Sequence, residues 1–99
     1  MDSDTAEIVA ARGAQWMDAN VPGWEKKVDI DCLTMGSPKF CVIGQQHDPY
    51  HDHDYTNFVD KHGLGYTEQV ELGFEVTEYC NYDYLDLRKA WIEEIRKRI

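Results

Sequence analysis

Apolar residues recur along the first twenty positions with the spacing of one helical face. Steps of three and one residues connect Ala6, Val9, Ala10, Gly13, Trp16 and Met17. This is the pattern of an amphipathic helix. We expect Asp4 to cap it, with Glu7 three residues later completing a variant of the capping box. Val21-Pro22-Gly23 is expected to end the helix, because proline restricts the preceding residue and glycine permits a chain reversal.

The carboxy-terminal part shows a second strong helical pattern. Its predicted buried stripe comprises Leu87, Trp91, Ile92, Ile95 and Ile99. Asp83 precedes the stripe at the position of a helix cap. Ahead of it we predict a short helix over residues 67–72, which Thr67 caps and Gly73 ends, followed by a loop or briefly extended piece over 74–82.

A further helix is predicted in the middle of the chain. Its apolar face comprises Tyr55, Phe58, Val59 and His62, at positions i, i+3, i+4 and i+7. Asp54 is placed to cap this helix. Gly63 fits the left-handed position after it, and Leu64 can supply the accompanying apolar contact.

Two segments remain ambiguous by periodicity alone. Residues 28–32 alternate as in a short strand, whereas 31–35 fit one helical turn. Residues 39–44 fit a helix that begins at Ser37-Pro38, or a buried strand over 40–43. We favour the helix. The predicted fold is therefore mainly α: a small single-core domain over residues 1–99, with about four to five short helices and at most a minor extended element.

Charge is divided unevenly along the chain. The net charge is -9. Residues 1–87 carry seventeen acidic against five basic residues, a balance of -12, and the last twelve carry five basic against two acidic. The terminal cations oppose the dipole of the last helix. The acidic body disfavours direct binding of nucleic acid, which requires Lys and Arg to displace counterions from phosphate. No stretch approaches the ~20 apolar residues of a membrane span.

Cysteine usage and the amino terminus point to a reducing compartment. The terminus lacks a basic region followed by an apolar stretch, so we expect no secretory signal and a cytoplasmic location. Cys32, Cys41 and Cys80 are an odd number and are expected to be reduced thiols. Cys41, with His47 or His62, superficially suggests a cysteine hydrolase, but no local signature accompanies it. A buried inert thiol is the favoured interpretation, and we expect no enzymatic activity.

The densest chemical feature is the segment HDPYHDHD. His47, His51 and His53 lie within seven residues, and imidazole and carboxylate are good ligands for zinc, nickel or copper. Pro49 lies between His47 and His51 and opposes a helical pair. We expect no cofactor. A solvated turn is favoured over adventitious binding of a divalent transition metal, and both over a functional metal site.

The acidic surface and the aromatic residues suggest a partner. Acidic side chains that can steer a basic protein are Asp2, Asp4, Glu7, Asp48, Asp52, Asp54, Asp60, Glu68, Glu71, Glu75 and Glu78. The aromatic contact candidates are Trp24, Tyr79, Tyr82 and Tyr84, because Trp and Tyr are enriched at interface cores. We single out Trp24, Asp52, Asp54, Glu71, Tyr79 and Tyr82 as candidate partner-binding residues. Surplus aromatics also allow a homodimer, and an extreme form of the acidic surface is mimicry of DNA.

Several motifs occur in an order that resembles a known family. They are GAQWMD (13–18), VPGW (21–24), VDIDCL (28–33), CVIGQ (41–45), VELGF (70–74) and Ala90-Trp91. The run resembles a family of small proteins from actinobacteria and their phages, of the mycobacteriophage type, with the pattern GAxWLD…PGW…IDL…CVLGQ. This family has no established activity. The resemblance implies a phage-derived accessory protein in a bacterial cytoplasm, and by analogy one that binds a host protein.

Overall fold

Four α-helices, joined by turns and short 3-10 helices, make up the fold. The computed structural model describes the backbone of residues 2–46 and 54–99, and side chains over residues 5–46 and 55–99. The α-helices are α1 (Asp2–Asn20), α2 (Asp54–Lys61), α3 (Tyr66–Glu71) and α4 (Tyr84–Arg96), and the 3-10 helices are Trp24–Lys27, Ile30–Cys32 and Gly44–Gln46. The mainly helical prediction is confirmed, and the described ranges contain no strand.

Helix α1 packs along α4, and glycine permits the closest approach. A Cβ atom on Gly13 would overlap the carbonyl oxygen of Leu72 and would lie 2.7 Å from the Trp91 ring. The helical spacing that predicted a buried face in α1 is confirmed at Ala6, Val9, Ala10 and Met17. The buried apolar residues of the described ranges form one core cluster.

Trp91 lies at the centre of this core. Its indole nitrogen donates a hydrogen bond of 2.7 Å to the carbonyl of Gly73, which satisfies the polar atom of a buried ring. The Phe74 ring stacks on it, with centroids 5.6 Å apart. The Trp24 ring meets it edge to face, also at 5.6 Å. The ring of Trp91 therefore joins α4 to the loop after α3 and to the segment after α1.

Helix ends follow the sequence signals closely. Gly63 and Gly73 both adopt positive φ, at 67° and 72°. Each ends its helix with the paired hydrogen bonds of a Schellman motif, in which Leu64 bonds back to Val59 and Phe74 to Gln69. Asp83 caps α4 in a reciprocal capping box with Asp86. The predicted ends at these positions are confirmed.

Other predicted boundaries are wrong. Helix α1 begins at Asp2, so Asp4 lies inside it. Gly65 takes the cap position of α3, so Thr67 lies within that helix. Ile99 is 74% exposed, because α4 ends at Arg96 and the chain leaves the helical face before Ile99.

The two ambiguous segments form turns. The predicted strand at 28–32 is wrong: Ile30–Cys32 is a 3-10 helix, and the Asp29 carboxylate accepts the N–H of Asp31. Residues 38–43 form successive turns that lead into Gly44–Gln46, so neither a strand nor an α-helix covers 39–44. The Ser37 hydroxyl accepts the N–H groups of Lys39 and Phe40, as a cap does. Without a neighbouring strand, alternation alone does not produce a sheet.

Basic side chains of the carboxy-terminal part are used within the fold. The Arg98 guanidinium forms a bidentate pair with Asp18, with nitrogen–oxygen distances of 2.8 and 3.0 Å, and also bonds the Glu94 carboxylate at 3.0 Å. Arg88 donates to the carbonyls of Leu33 and Ile30 at 2.8 and 2.9 Å. In the described ranges, no helix has the length and apolar character required to span a membrane.

Candidate functional site

The predicted metal segment lies outside the part of the chain that the structure describes. His47, His51 and His53, together with Asp52, fall between its two ranges. Asp54 begins α2, and its side chain is outside those described. Among the described residues, no group of three metal-ligating side chains comes together. The metal hypothesis remains a prediction.

Two of the predicted contact aromatics are buried, and the prediction of their exposure is wrong. Trp24 is fully buried, and its indole nitrogen donates to the Asp18 carboxylate at 2.9 Å. The reversal at Pro22-Gly23 turns the chain back toward the core, as the hydrogen bond from the Trp24 N–H to the Val21 carbonyl shows. Tyr82 is 6% exposed, and its hydroxyl is hydrogen-bonded to the Cys80 sulfur.

The other predicted contact residues lie at the surface. Tyr79 is 86% exposed, and Glu71 is exposed at the end of α3. Tyr84 is 37% exposed and begins α4. Surface position is compatible with partner binding, which remains a prediction for each of them.

A small cavity lies beside Tyr84 and gathers several polar groups. Its volume is about 230 Å3, and its walls are residues 35–38, Cys41, Tyr55 and Glu75. These residues come from three parts of the chain: the turn after Ile30–Cys32, the start of α2 and the loop before α4. The Tyr84 ring packs at the cavity edge, because a Cβ on Gly36 would lie 3.4 Å from it. We name this set of walls, with Tyr84, the Glu75 cavity.

Among the described residues, Glu75 is the one charged residue in the walls of this cavity. The half-buried carboxylate accepts a hydrogen bond of 3.2 Å from the Tyr84 hydroxyl and another from the Val76 N–H. Desolvation raises the pKa of Glu75 and outweighs both hydrogen bonds. Within the described ranges no Lys, Arg or His forms an ion pair with it. The fold therefore holds this carboxylate in partial burial without a cation.

Tyrosines surround the carboxylate. The Tyr55 hydroxyl donates to the side-chain oxygen of Gln69 at 2.8 Å, which fixes the ring. Burial and the nearby Glu75 raise the pKa of Tyr55, and burial with the same carboxylate raises that of Tyr84. Tyr66, 58% exposed, lies near enough to contribute to both shifts. Tyr55 and Tyr84 are thus neutral phenols at neutral pH, and Tyr66 adds an exposed aromatic face.

Cys41 contributes an inert wall to the cavity. The thiol is buried, and burial raises its pKa to about 11. Its sulfur accepts the N–H of Gly44 at 3.3 Å. A nucleophilic thiol needs a lowered pKa and a neighbouring imidazole. The described surroundings of Cys41 supply neither, so the interpretation as a buried thiol fits the structure.

Three larger cavities carry less distinctive chemistry. One, of about 490 Å3, lies between α1 and α4 beside Ile8, Glu93 and Glu94. Another, of about 330 Å3, shares Glu93 with it and lies beside Asp86 and Lys89, and the third, of about 300 Å3, lies between the end of α1 and α2 beside Lys27 and Lys61. Glu94 is buried, but it is paired with Arg98 and Lys97. Within the described ranges, none of the three combines a half-buried charge without a counter-ion with flanking aromatic rings, as the Glu75 cavity does.

The prominence of Glu75 was not visible in the sequence. The acidic set included it without distinction from ten others. The helical spacing predicts that Tyr55 belongs to a core face, and no sequence pattern marks Tyr66 as a contact residue. Residues 35–38 share the cavity walls with Glu75 but are distant from it in the chain. Local sequence patterns therefore do not reveal the position of Glu75 in a cavity.

Comparison of the chain with known proteins gave no match to a family model, to a curated protein or to a solved structure. Functional inference therefore depends on the residues of the site. A carboxylate, aromatic faces and hydroxyl groups together suit the binding of a cationic group.

Proposed function

We propose that the protein is a non-enzymatic accessory domain that binds a basic host protein through an acidic surface with exposed tyrosines. The centre of this surface is the Glu75 cavity, with Tyr66 and Tyr84 beside it. The single observation that carries the proposal is the half-buried carboxylate of Glu75, which has no cation within the described ranges. A desolvated charge without a partner reduces stability, so its presence suggests a role in binding.

The charge and the exposed aromatics support this proposal. A net charge of -9 attracts a basic partner and speeds its encounter. Arg88 and Arg98 are engaged inside the fold, so they do not neutralise the acidic surface. Tyr66 and Tyr79 offer large apolar area with a polar tip, which is the composition of interface cores. Glu71 and Tyr79 extend the proposed surface.

The resemblance to the actinobacterial and phage family supports a setting for this activity. It suggests that the partner is a protein of the bacterial host and that the meeting occurs in the host cytoplasm. The absence of a membrane-spanning helix among the described residues is compatible with that setting.

The proposal is tested by site-specific photo-crosslinking in the host. A photoreactive phenylalanine analogue replaces Tyr66, which lies beside the cavity, and in a matched variant it replaces Ile99, which is 74% exposed at the other end of α4. We expect one discrete adduct from position 66 and none from position 99. Replacement of Tyr79 reports how far the surface extends. Absence of a discrete adduct at position 66, or the same adducts at 66 and 99, would contradict the proposal.

A further inference from the structure

The Glu75 cavity has the dimensions of a receptor for one side chain. Its volume of about 230 Å3 lies below the ~300–1,000 Å3 of ordinary small-molecule pockets. Met35, Pro38 and the Tyr55 ring give it largely apolar walls. The cavity is therefore suited to a slender group with an apolar stem.

The Glu75 carboxylate at one side of the cavity favours a ligand whose end is positively charged. Of the described wall residues, Glu75 alone carries a charge, and it is negative. A carboxylate offers about four acceptor positions over its two oxygens. The Tyr84 hydroxyl and the Val76 N–H occupy only part of that capacity. Positions remain for a donor that arrives with a positive charge, and the ring of Tyr84 adds a cation–π contribution.

We infer that the Glu75 cavity receives one lysine side chain of the partner protein, with its alkyl stem along Pro38 and Tyr55 and its ammonium at the Glu75 carboxylate. This inference rests on the proposed function and specifies the chemistry of its partner. Binding supplies the cation that Glu75 lacks among the described residues. The pair also forms at a half-buried position, where an ion pair is worth more than at a fully exposed one.

Lysine fits this position better than arginine. A guanidinium binds a carboxylate best through two parallel hydrogen bonds, one to each oxygen. Oxygen Oε2 of Glu75 already accepts the Tyr84 hydroxyl, so a guanidinium fork would have to share that oxygen with the phenol. The ammonium of lysine is a compact charge on a flexible four-carbon stem and needs only one accessible oxygen. Its methylene groups pack on apolar walls while the charge stays at the polar end.

The test is an NMR titration of the full chain with N-acetyl-lysine N-methylamide. We expect saturable shifts at the methyl of Met35 and the rings of Tyr55 and Tyr84. Glu75→Gln removes the charge and should weaken the affinity at least about tenfold. Glu78→Gln, at an exposed position of the same loop, removes the same net charge and should bind as the wild type does. The melting temperature of each variant checks that it is folded.

Three further probes separate the sources and the chemistry of the ligand. The arginine and norleucine analogues of the same amide should bind more weakly than the lysine amide. A free diamine, 1,5-diaminopentane, should bind no more tightly than the lysine amide, since the described walls of the cavity hold one carboxylate. Tighter binding of the diamine would show a small-molecule amine site and would overturn the assignment to a protein lysine.

Failure of this inference is distinct from failure of the proposed function. If the lysine amide gives no saturable shifts, or binds Glu75→Gln as tightly as the wild type, the lysine assignment is wrong. A discrete crosslink at Tyr66 would still support a protein partner in that case. Conversely, specific binding of the lysine amide without any crosslinked partner would support the cavity and contradict the function as a host-binding protein.

Discussion

Asp18 and Glu75 are carboxylates in contrasting surroundings. Asp18 accepts three hydrogen bonds from Arg98 and one from the indole of Trp24, and hydrogen bonding to Arg98 lowers its pKa. Glu75 accepts from a phenol and a backbone N–H, and burial raises its pKa. Asp18 has a cation supplied by α4. Glu75 has none within the described ranges.

The difference distinguishes a carboxylate that stabilises the fold from one available for recognition. Asp18 connects α1 to the end of α4 through Arg98, so its charge favours the folded state. The charge of Glu75 opposes folding, because a half-buried carboxylate loses hydration without gaining a cation. Selection for stability alone would favour a neutral residue at position 75. We therefore assign the charge of Glu75 to binding.

The largest expected effect concerns the dryness of the Glu75 cavity. Cys41 lines it with a pKa of about 11, so about one thiol in a thousand is ionised at pH 8. We expect Cys41 to react with an aromatic disulfide reagent at least about a hundredfold more slowly than exposed Cys32. Mass spectrometry of the labelled chain after timed quenching measures both rates. Equal rates would show a wet cavity and would restore Cys41 as a candidate nucleophile.

The next effect concerns the paired carboxylate. Arg98→Met keeps the alkyl stem and removes the guanidinium, which leaves Asp18 and the buried Glu94 without their shared cation. We expect a loss of about 2–3 kcal/mol in the free energy of unfolding, between the values for buried and exposed pairs. Urea denaturation measures it. Arg96→Met, whose pair with Glu93 is well exposed, is the matched control and should change stability by less than about 0.5 kcal/mol. Similar losses in both variants would contradict the structural role of Arg98.

Asp18→Asn should lower stability by about 1 kcal/mol at pH 7, because the amide oxygen keeps part of the hydrogen bonds but the amide nitrogen cannot accept and the charge is lost. The folded pKa of Asp18 is lowered, so its stabilisation is present above the unfolded pKa of ~3.9 and is lost as the pH falls through the folded value. The gap between the variant and the wild type should therefore close below pH ~4. Urea denaturation at several pH values measures the gap, and a gap that widens at low pH would contradict this account.

The smallest effect has the opposite sign. Because the folded pKa of Glu75 is raised, its charge destabilises the protein above that pKa, and the penalty disappears as the pH falls toward the unfolded value. Glu75→Gln should raise the melting temperature by about 1–3 °C at pH 7, since ~1 kcal/mol corresponds to ~4–8 °C and solvent screening leaves a fraction of that. Below pH ~4 the difference should vanish. Glu78→Gln, at an exposed position, serves as the control. An equal rise in the melting temperature of this variant would show that the effect comes from net charge and not from the burial of Glu75.

Local signals predicted much of the fold. The cap at Asp83, the glycine ends at Gly63 and Gly73 and the apolar stripes of α1 and α4 depend on residues within a few positions of each other. The turns over 38–46 were not predicted, because the periodicity of a short apolar run does not distinguish a helix from a strand. In the described ranges there is also no strand with which this run could pair.

The candidate site was largely beyond sequence patterns. Trp24 follows a turn signal that suggested exposure, yet the turn directs it into the core against Trp91. Half-buried Glu75 shares the walls of its cavity with residues 35–38. Such contacts join parts of the chain about forty residues apart, and spacing within one segment carries no trace of them. The net negative charge and the number of tyrosines suggested an acidic, aromatic contact surface. They did not identify the Glu75 cavity as its centre.

The central claim is that Glu75 binds a cation supplied by the partner. Titration of the Glu75 carboxyl group itself tests this claim most directly. Carbon-detected NMR on protein labelled at glutamate carboxyl groups measures the pKa of Glu75 with and without saturating N-acetyl-lysine N-methylamide. We expect the pKa of Glu75 to lie above the ordinary 4.5 in the free protein and to fall when the lysine amide is added. A free value at or below 4.5, or one that the lysine amide leaves unchanged, would contradict it.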